Sequence, residues 1–135
     1  MSKRKVMGVL VQTAMIIDDD KDLNELLAQM LEERRIYTLA VQTLSEAEAY
    51  LGFLKPTLVF LDNSFPEGLG INFIKQIRSA DEDIKIIMMT ADRDKWIQEK
   101  AIDEGVSYFL HKPFNRQLIY QALDKVNGAL TAKYH

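Results

Sequence analysis

Cysteine is absent from this chain, which excludes disulfides, zinc–thiolate sites and thiol catalysis together. Long apolar runs are missing as well: none approaches the ~18 residues that cross a membrane. There is no surplus of positive charge. The net charge is −3 and the pI about 5.4, so a general affinity for nucleic acid is not implied. A glycine-rich phosphate loop is absent, and so are internal repeats, low-complexity stretches and linkers between residues 13 and 130.

What is present is the material of one domain. The chain has 135 residues, 47% hydrophobic and 27% charged, enough for a real core and unlike a disordered composition. The opening "MSKRKVMGVLV" is basic and then apolar, but Gln12 and Thr13 interrupt the run before it reaches signal-peptide length. Residues 1–12 read as an N-terminal extension, 13–130 as the domain and 131–135 as a C-terminal tail, on a protein expected to be cytoplasmic.

Within the domain two patterns alternate. Short apolar or β-branched runs occur at "TAMIID" (13–18), "YTLAV" (37–41), "TLVFLD" (57–62), "IKIIMMT" (84–90) and "SYFLH" (107–111). Three are nearly continuous apolar blocks, as strands covered on both faces should be. Between them, Leu23, Leu26, Leu27, Met30 and Leu31 follow the spacing of one buried helix face. Ser45 and Glu48 form a capping box for a second helix that ends before Pro56. A third helix is expected from about Gly70 to Ala80, and a fourth from about Lys95 to Glu104 with Gly105 closing it. The last carries Ile119, Ala122, Leu123, Val126 and Leu130 on one face. Five strands alternating with five helices imply an α/β doubly wound parallel sheet with helices on both faces.

In such a sheet ligands bind beyond the carboxyl ends of the strands. The first apolar run ends in Asp18, Asp19, Asp20 and Asp22. Asp20 and Asp22 suit a helix start, as cap and first-turn acid. Asp18 and Asp19 are left without that reason, although carboxylates about 4 Å apart repel by roughly 1 kcal/mol even in water. The other strand ends offer Asp62, Thr90, and His111 followed by Lys112, whereas the second offers nothing comparable in 40–43. Three acids, a hydroxyl and a lysine therefore converge on one edge. A hard divalent cation such as Mg²⁺ reverses the repulsion through oxygen ligands. Lysine and hydroxyl suit the remaining oxygens of a phosphoryl group, and a carboxylate is a competent phosphoryl acceptor.

Rival readings of the cluster fail on spacing. A calcium loop from Asp18 would need glycine and glutamate where the chain has Leu23 and Gln29. A haloacid-dehalogenase-type nucleophile motif at Asp18 and Asp20 would place threonine or valine where Asp22 stands. Singly, Asp62 could cap a turn, Thr90 be an ordinary strand residue and Lys112 a solvated charge. Together these would be coincidences at a single edge.

The stretches "MIIDDDKDL", "LVFLDNSFPEGLG", "IIMMTAD" and "YFLHKPF", in this order, resemble the receiver domain of two-component response regulators over residues 13–130. The resemblance implies a flavodoxin-like fold with five strands in the order 2-1-3-4-5 and five helices. It implies that Asp62 is the phosphoacceptor, taking a phosphoryl group from a sensor histidine kinase or phosphotransfer protein. Asp18 and Asp19 become the acidic pair, the second ligating Mg²⁺ directly, with the acceptor Asp62 and the backbone carbonyl of Ser64 as further ligands. Thr90 becomes the switch hydroxyl, Lys112 the phosphoryl contact and Phe109 the aromatic switch, where tyrosine is common. Ser64 and Asp92 fall at positions that tune dephosphorylation, and small Ala91 leaves access to Thr90. A cis Lys112–Pro113 peptide is also implied. The module would catalyse its own modification without being a turnover enzyme, and would signal to an output domain or homodimer through its helix 4–strand 5–helix 5 face. It would bind neither nucleic acid nor membrane directly. Two other classes compete with it: a non-phosphorylated interaction module of the same fold, and a phosphatase.

Overall fold

The computed structural model describes residues 5–6, 9–10, 12–91 and 95–133, with side chains over 12–91 and 95–127. Strands and helices alternate as β1 (Thr13–Ile17), α1 (Lys21–Glu33), β2 (Tyr37–Val41), α2 (Leu44–Leu54), β3 (Leu58–Asp62), α3 (Ile74–Ala80), β4 (Lys85–Thr90), α4 (Lys95–Asp103), β5 (Tyr108–His111) and α5 (Arg116–Lys133). These strands form one parallel sheet in the order β2-β1-β3-β4-β5, the flavodoxin-like arrangement expected. Two short antiparallel pairings lie outside it, Lys5–Val6 with Val9–Leu10 and Ser64–Phe65 with Gly68–Leu69.

Burial explains the strand composition. β3 is buried along its whole length, and so is β4 after Lys85, whereas the edge strand β2 exposes Tyr37 and Ala40. Alternate side chains feed two cores. Met15, Ile17, Val59, Leu61, Ile86 and Met88 pack with Ala47 and Leu51 of α2, Ile74 and Ile77 of α3, and Ile97 and Ala101 of α4. Ala14, Ile16, Leu58, Phe60, Ile87 and Met89 pack with Leu27, Met30 and Leu31 of α1 and with Ile119, Ala122 and Leu123 of α5. Parallel neighbours joined through helices bring the ends of β1, β3, β4 and β5 to a common edge.

Several local expectations need correction. The buried stripe of α1 is Asn24, Leu27, Met30 and Leu31, with Leu26 nearly half exposed. Asn24 takes the inward place because its side-chain amide donates to the carbonyls of Asp18 (2.9 Å) and Val41 (3.3 Å). The cap of α2 is Thr43, not Ser45. Thr43 is extended and its hydroxyl accepts from Glu46 N at 3.0 Å, while Glu46 reaches back to Gln42 N at 3.2 Å. Ser45 already lies inside the first turn. The third helical stretch begins with a 3-10 turn, Gly70–Phe73, before α3 proper. The hairpin over 64–69 has arms of only two residues, too short to show as an apolar run in the sequence.

Other expectations hold. Asp20 caps α1 by accepting from Leu23 N, Gly105 follows α4 with positive φ, and Lys112–Pro113 is cis. Ile119, Ala122, Leu123 and Val126 are buried; the Leu130 side chain lies outside those described. α5 runs to Lys133, past the boundary expected at 130.

Candidate functional site

β1 ends where Asp18 N makes a last bond to Val41 O at 3.2 Å, and α1 starts two residues later on its Asp20 cap. The intervening turn is short and held from below by Asn24. It leaves the Asp18 carboxylate fully buried and the Asp19 side chain exposed. Asp62 ends the neighbouring strand and is 5% exposed. One carboxylate oxygen from each of Asp18, Asp19 and Asp62 can lie within 4.8 Å of the others. The structure thus joins the three acids that the sequence placed at this edge, and keeps Asp20 out of the group as a cap.

Lys112 offsets part of this charge. Its ammonium lies 2.8 Å from Asp18 Oδ2 and 3.1 Å from Asp62 Oδ1. The backbone N–H of Lys112 donates to Thr90 O at 2.9 Å, continuing the β4–β5 ladder into the site. Burial and the neighbouring Asp18 push the Asp62 carboxyl above the ordinary aspartate value, with Lys112 pulling the other way. Burial disfavours the Lys112 ammonium, but its bonds to Asp18 and Asp62 outweigh that and hold it above the ordinary lysine value. Three carboxyl groups thus face a single ammonium in a half-buried recess. An all-oxygen donor set of this kind fits a hard divalent cation.

The segment after Asp62 is folded back onto it. Asn63 N donates to Met89 O at 3.2 Å, and Asn63 accepts from Gly70 N at its carbonyl (2.9 Å) and from Ile71 N at its side-chain oxygen (3.0 Å). A Cβ on Gly70 would stand 1.9 Å from Asp62 O. Glycine is required there by contact and not by a left-handed backbone. Ser64 sits two residues past Asp62 on the exposed arm of the small hairpin.

Thr90 ends β4 and is 3% exposed. In the parallel register Thr90 faces His111 and Met88 faces Phe109, so Thr90 and Phe109 share one face of the sheet, diagonally adjacent. Phe109 is part-buried against the core that includes Ile97 and Ala101 of α4. Ala91 is exposed. Asp92 lies outside the described residues.

Four contributors were not read from the sequence: Asn24, Asn63, Gly70 and Gln42, whose amide donates to Asp19 O at 3.3 Å. The turn-forming composition of "DNSFPEGLG" was the available signal for Asn63 and Gly70. Asn24 and Gln42 carried none, because each acts on a backbone group distant in sequence.

Comparisons with known proteins agree with this fold. Residues 14–124 match the family model of the response regulator receiver domain. The chain is 31% identical over 116 residues to Protein CcdB of Bacillus subtilis, covering 84% of this chain and 96% of that protein. It is 31% identical over 115 residues to the Chemotaxis protein CheY of Thermotoga maritima, covering 84% and 95%. Among solved structures, a two-component response regulator from Clostridium difficile aligns with a TM-score of 0.83 at 27% identity, over 88% of this chain and 98% of that one.

Proposed function

This chain belongs to the response regulator receiver domain family, and on that premise we propose that Asp62 accepts a phosphoryl group from a sensor histidine kinase or phosphotransfer protein. The observation that carries the proposal is the Lys112 ammonium shared by Asp18 and Asp62 beside exposed Asp19. A carboxylate oxygen of Asp62 attacks phosphorus, forming an O–P bond as the P–N bond of a phosphohistidine breaks. The departing imidazole nitrogen keeps the bonding pair. Lys112 favours the ionised Asp62 that attack requires and is within reach of a phosphoryl oxygen once that carboxylate is esterified. Thr90, on the same edge, supplies a hydroxyl donor.

Mg²⁺ would be held by Asp18, Asp19, Asp62 and the backbone carbonyl of Ser64, and when bound it supplies positive charge to the phosphoryl oxygens. Asn24, Asn63 and Gly70 fix the backbone from which these ligands project. Positioning and charge stabilisation are the whole contribution, as suits a signalling domain modified once per cycle.

Movement of Thr90 towards the new phosphoryl group would change the space available to Phe109 on the same face, and through it the packing of α4. Exposed Ile102 on α4 and Leu118 on α5 supply apolar area for an output domain or a second copy at the α4–β5–α5 face. The non-phosphorylated alternative is not favoured, because it gives no reason to bury Asp18 and Asp62 together.

Incubation with a small-molecule phosphodonor and Mg²⁺ tests the reading. One phosphoryl group should be added, labile to base as an acyl phosphate is, and a chelator should prevent it. Absence of labelling with Mg²⁺ bound would overturn the reading.

A further inference from the structure

The turn between β2 and α2 touches both loops of the site. On one side the Gln42 amide donates to the Asp19 carbonyl at 3.3 Å. On the other, Glu67 at the tip of the hairpin accepts from Leu44 N (2.7 Å), Ser45 N (3.3 Å) and Ser45 Oγ (2.7 Å). The turn is itself braced, since Glu46 accepts from Gln42 N and from the Thr43 hydroxyl, which caps the helix. The first two N–H groups of α2 are thereby satisfied by a side chain 22 or 23 positions away in the sequence, although α2 has its own cap at Thr43. Such a long-range partner docks the hairpin more than it completes the helix.

The hairpin has little else to hold it. Its two-residue arms pair only with each other, Ser64 with Leu69 and Phe65 with Gly68, and Ser64, Pro66, Glu67, Gly68 and Leu69 are all exposed. Buried Phe65 and the Asn63–Gly70 bond anchor its base. At the tip, the Glu67 carboxylate is the one side-chain tether among the described residues. The bonds to Ser45 and Leu44 hold it below the ordinary glutamate range, so it is ionised at neutral pH.

We propose that Glu67 is a positioning residue for the metal-dependent acceptor site, fixing the hairpin that carries Ser64 against the same turn that holds Asp19. The proposal rests on the Mg²⁺-dependent acceptor reading above. By contacting the ligand-bearing segments from both sides, the N-terminus of α2 sets their separation before a cation arrives, and preorganisation of this kind raises affinity without a new ligand.

The test compares wild type with Glu67→Ala, Glu67→Gln and Thr43→Ala. Thr43→Ala removes the helix cap without touching the hairpin, and Glu67→Gln removes the charge while keeping an amide oxygen for Leu44 N. Mg²⁺ affinity is measured by calorimetric titration, hairpin docking by hydrogen exchange of the Gly70 amide, and chemistry by the labelling rate at saturating Mg²⁺.

Glu67→Ala should weaken Mg²⁺ binding about three- to tenfold, less than the ~10–100-fold typical of groups bonded directly to a ligand. Its labelling rate at saturating Mg²⁺ should stay within about twofold of wild type, the split of a group that acts through binding. Gly70 exchange should accelerate in Glu67→Ala and not in Thr43→Ala, and Glu67→Gln should bind Mg²⁺ better than Glu67→Ala. Unchanged affinity in Glu67→Ala overturns the proposal. Equal weakening in Glu67→Gln assigns the effect to net charge, and equal weakening in Thr43→Ala assigns it to helix stability; either refutes docking. A wild type that binds no Mg²⁺ would overturn the acceptor reading itself, and this inference with it.

Discussion

Replacing Gly70 by alanine would drive a methyl group into the backbone of the proposed phosphoacceptor. The added Cβ would sit 1.9 Å from Asp62 O and 3.1 Å from Asn63 Cα, where real Cβ contacts essentially never fall below 3.0 Å. Backbone cannot rotate away as a flexible side chain can, so one segment must shift by about 1 Å, a degree of overpacking that costs roughly 1–3 kcal/mol. The same shift strains Gly70 N to Asn63 O and Ile71 N to Asn63 Oδ1, each worth about 0.5–1.5 kcal/mol. Gly70→Ala should therefore lose about 2–6 kcal/mol in urea denaturation, read as a lower midpoint at unchanged slope, and should bind Mg²⁺ less tightly because Asp62 moves. Gly52→Ala is the control. Nothing lies within 4 Å of a Cβ added there, inside α2, so it should gain about 0.5–1 kcal/mol. If Gly70→Ala changes stability by less than about 0.5 kcal/mol and leaves Mg²⁺ affinity intact, the steric account of this loop is wrong.

Asn24→Ala should destabilise by about 1–3 kcal/mol, since it strips the buried Asp18 carbonyl of its side-chain donor; chemical denaturation measures it. Mg²⁺ at ten times its Kd should stabilise wild type by about 1.4 kcal/mol in thermal unfolding. Asp19→Asn should abolish most of that shift and Asp20→Asn should not, because Asp20 serves as the α1 cap; equal losses would mean the wrong pair was chosen. The Glu33 carboxylate receives Tyr120 OH at 2.5 Å and Arg116 at 2.8 and 3.2 Å, which hold it below the ordinary glutamate value. A depressed folded value stabilises above the unfolded value and is lost as pH falls through the folded one. The gap in melting temperature between wild type and Glu33→Gln should thus be largest at neutral pH and shrink in acid; a constant gap would refute the assignment.

The sheet was legible because its strands are buried on both faces. Runs such as "LVFL" and "IIMM" can serve as little else when turn formers bound them. Strand ends then named the acids, Thr90 and Lys112, since chain order and handed crossovers fix which ends converge. Helix details were less legible because they depend on partners distant in sequence. Leu26 fits the periodic stripe of α1 yet is nearly half exposed, while polar Asn24 is buried by its bonds to the carbonyls of Asp18 and Val41. Ser45 and Glu48 have the spacing of a capping box, but Thr43 and Glu46 have it too, and it is the earlier pair that caps α2. Gly70 could have been any turn glycine from sequence alone. Only the approach of Asp62 O gives it a reason.

The most direct test of the central claim is to locate the modified residue. After reaction with a phosphodonor and Mg²⁺, borohydride reduces an acyl phosphate on aspartate to homoserine, which peptide mass measurement places in the sequence. Asp62 sits against Asp18 and Lys112 at the end of β3, so homoserine should appear at position 62, and Asp62→Asn should yield none there. Homoserine at Asp18 or Asp19, or undiminished labelling of Asp62→Asn, would contradict the assignment of Asp62 as acceptor.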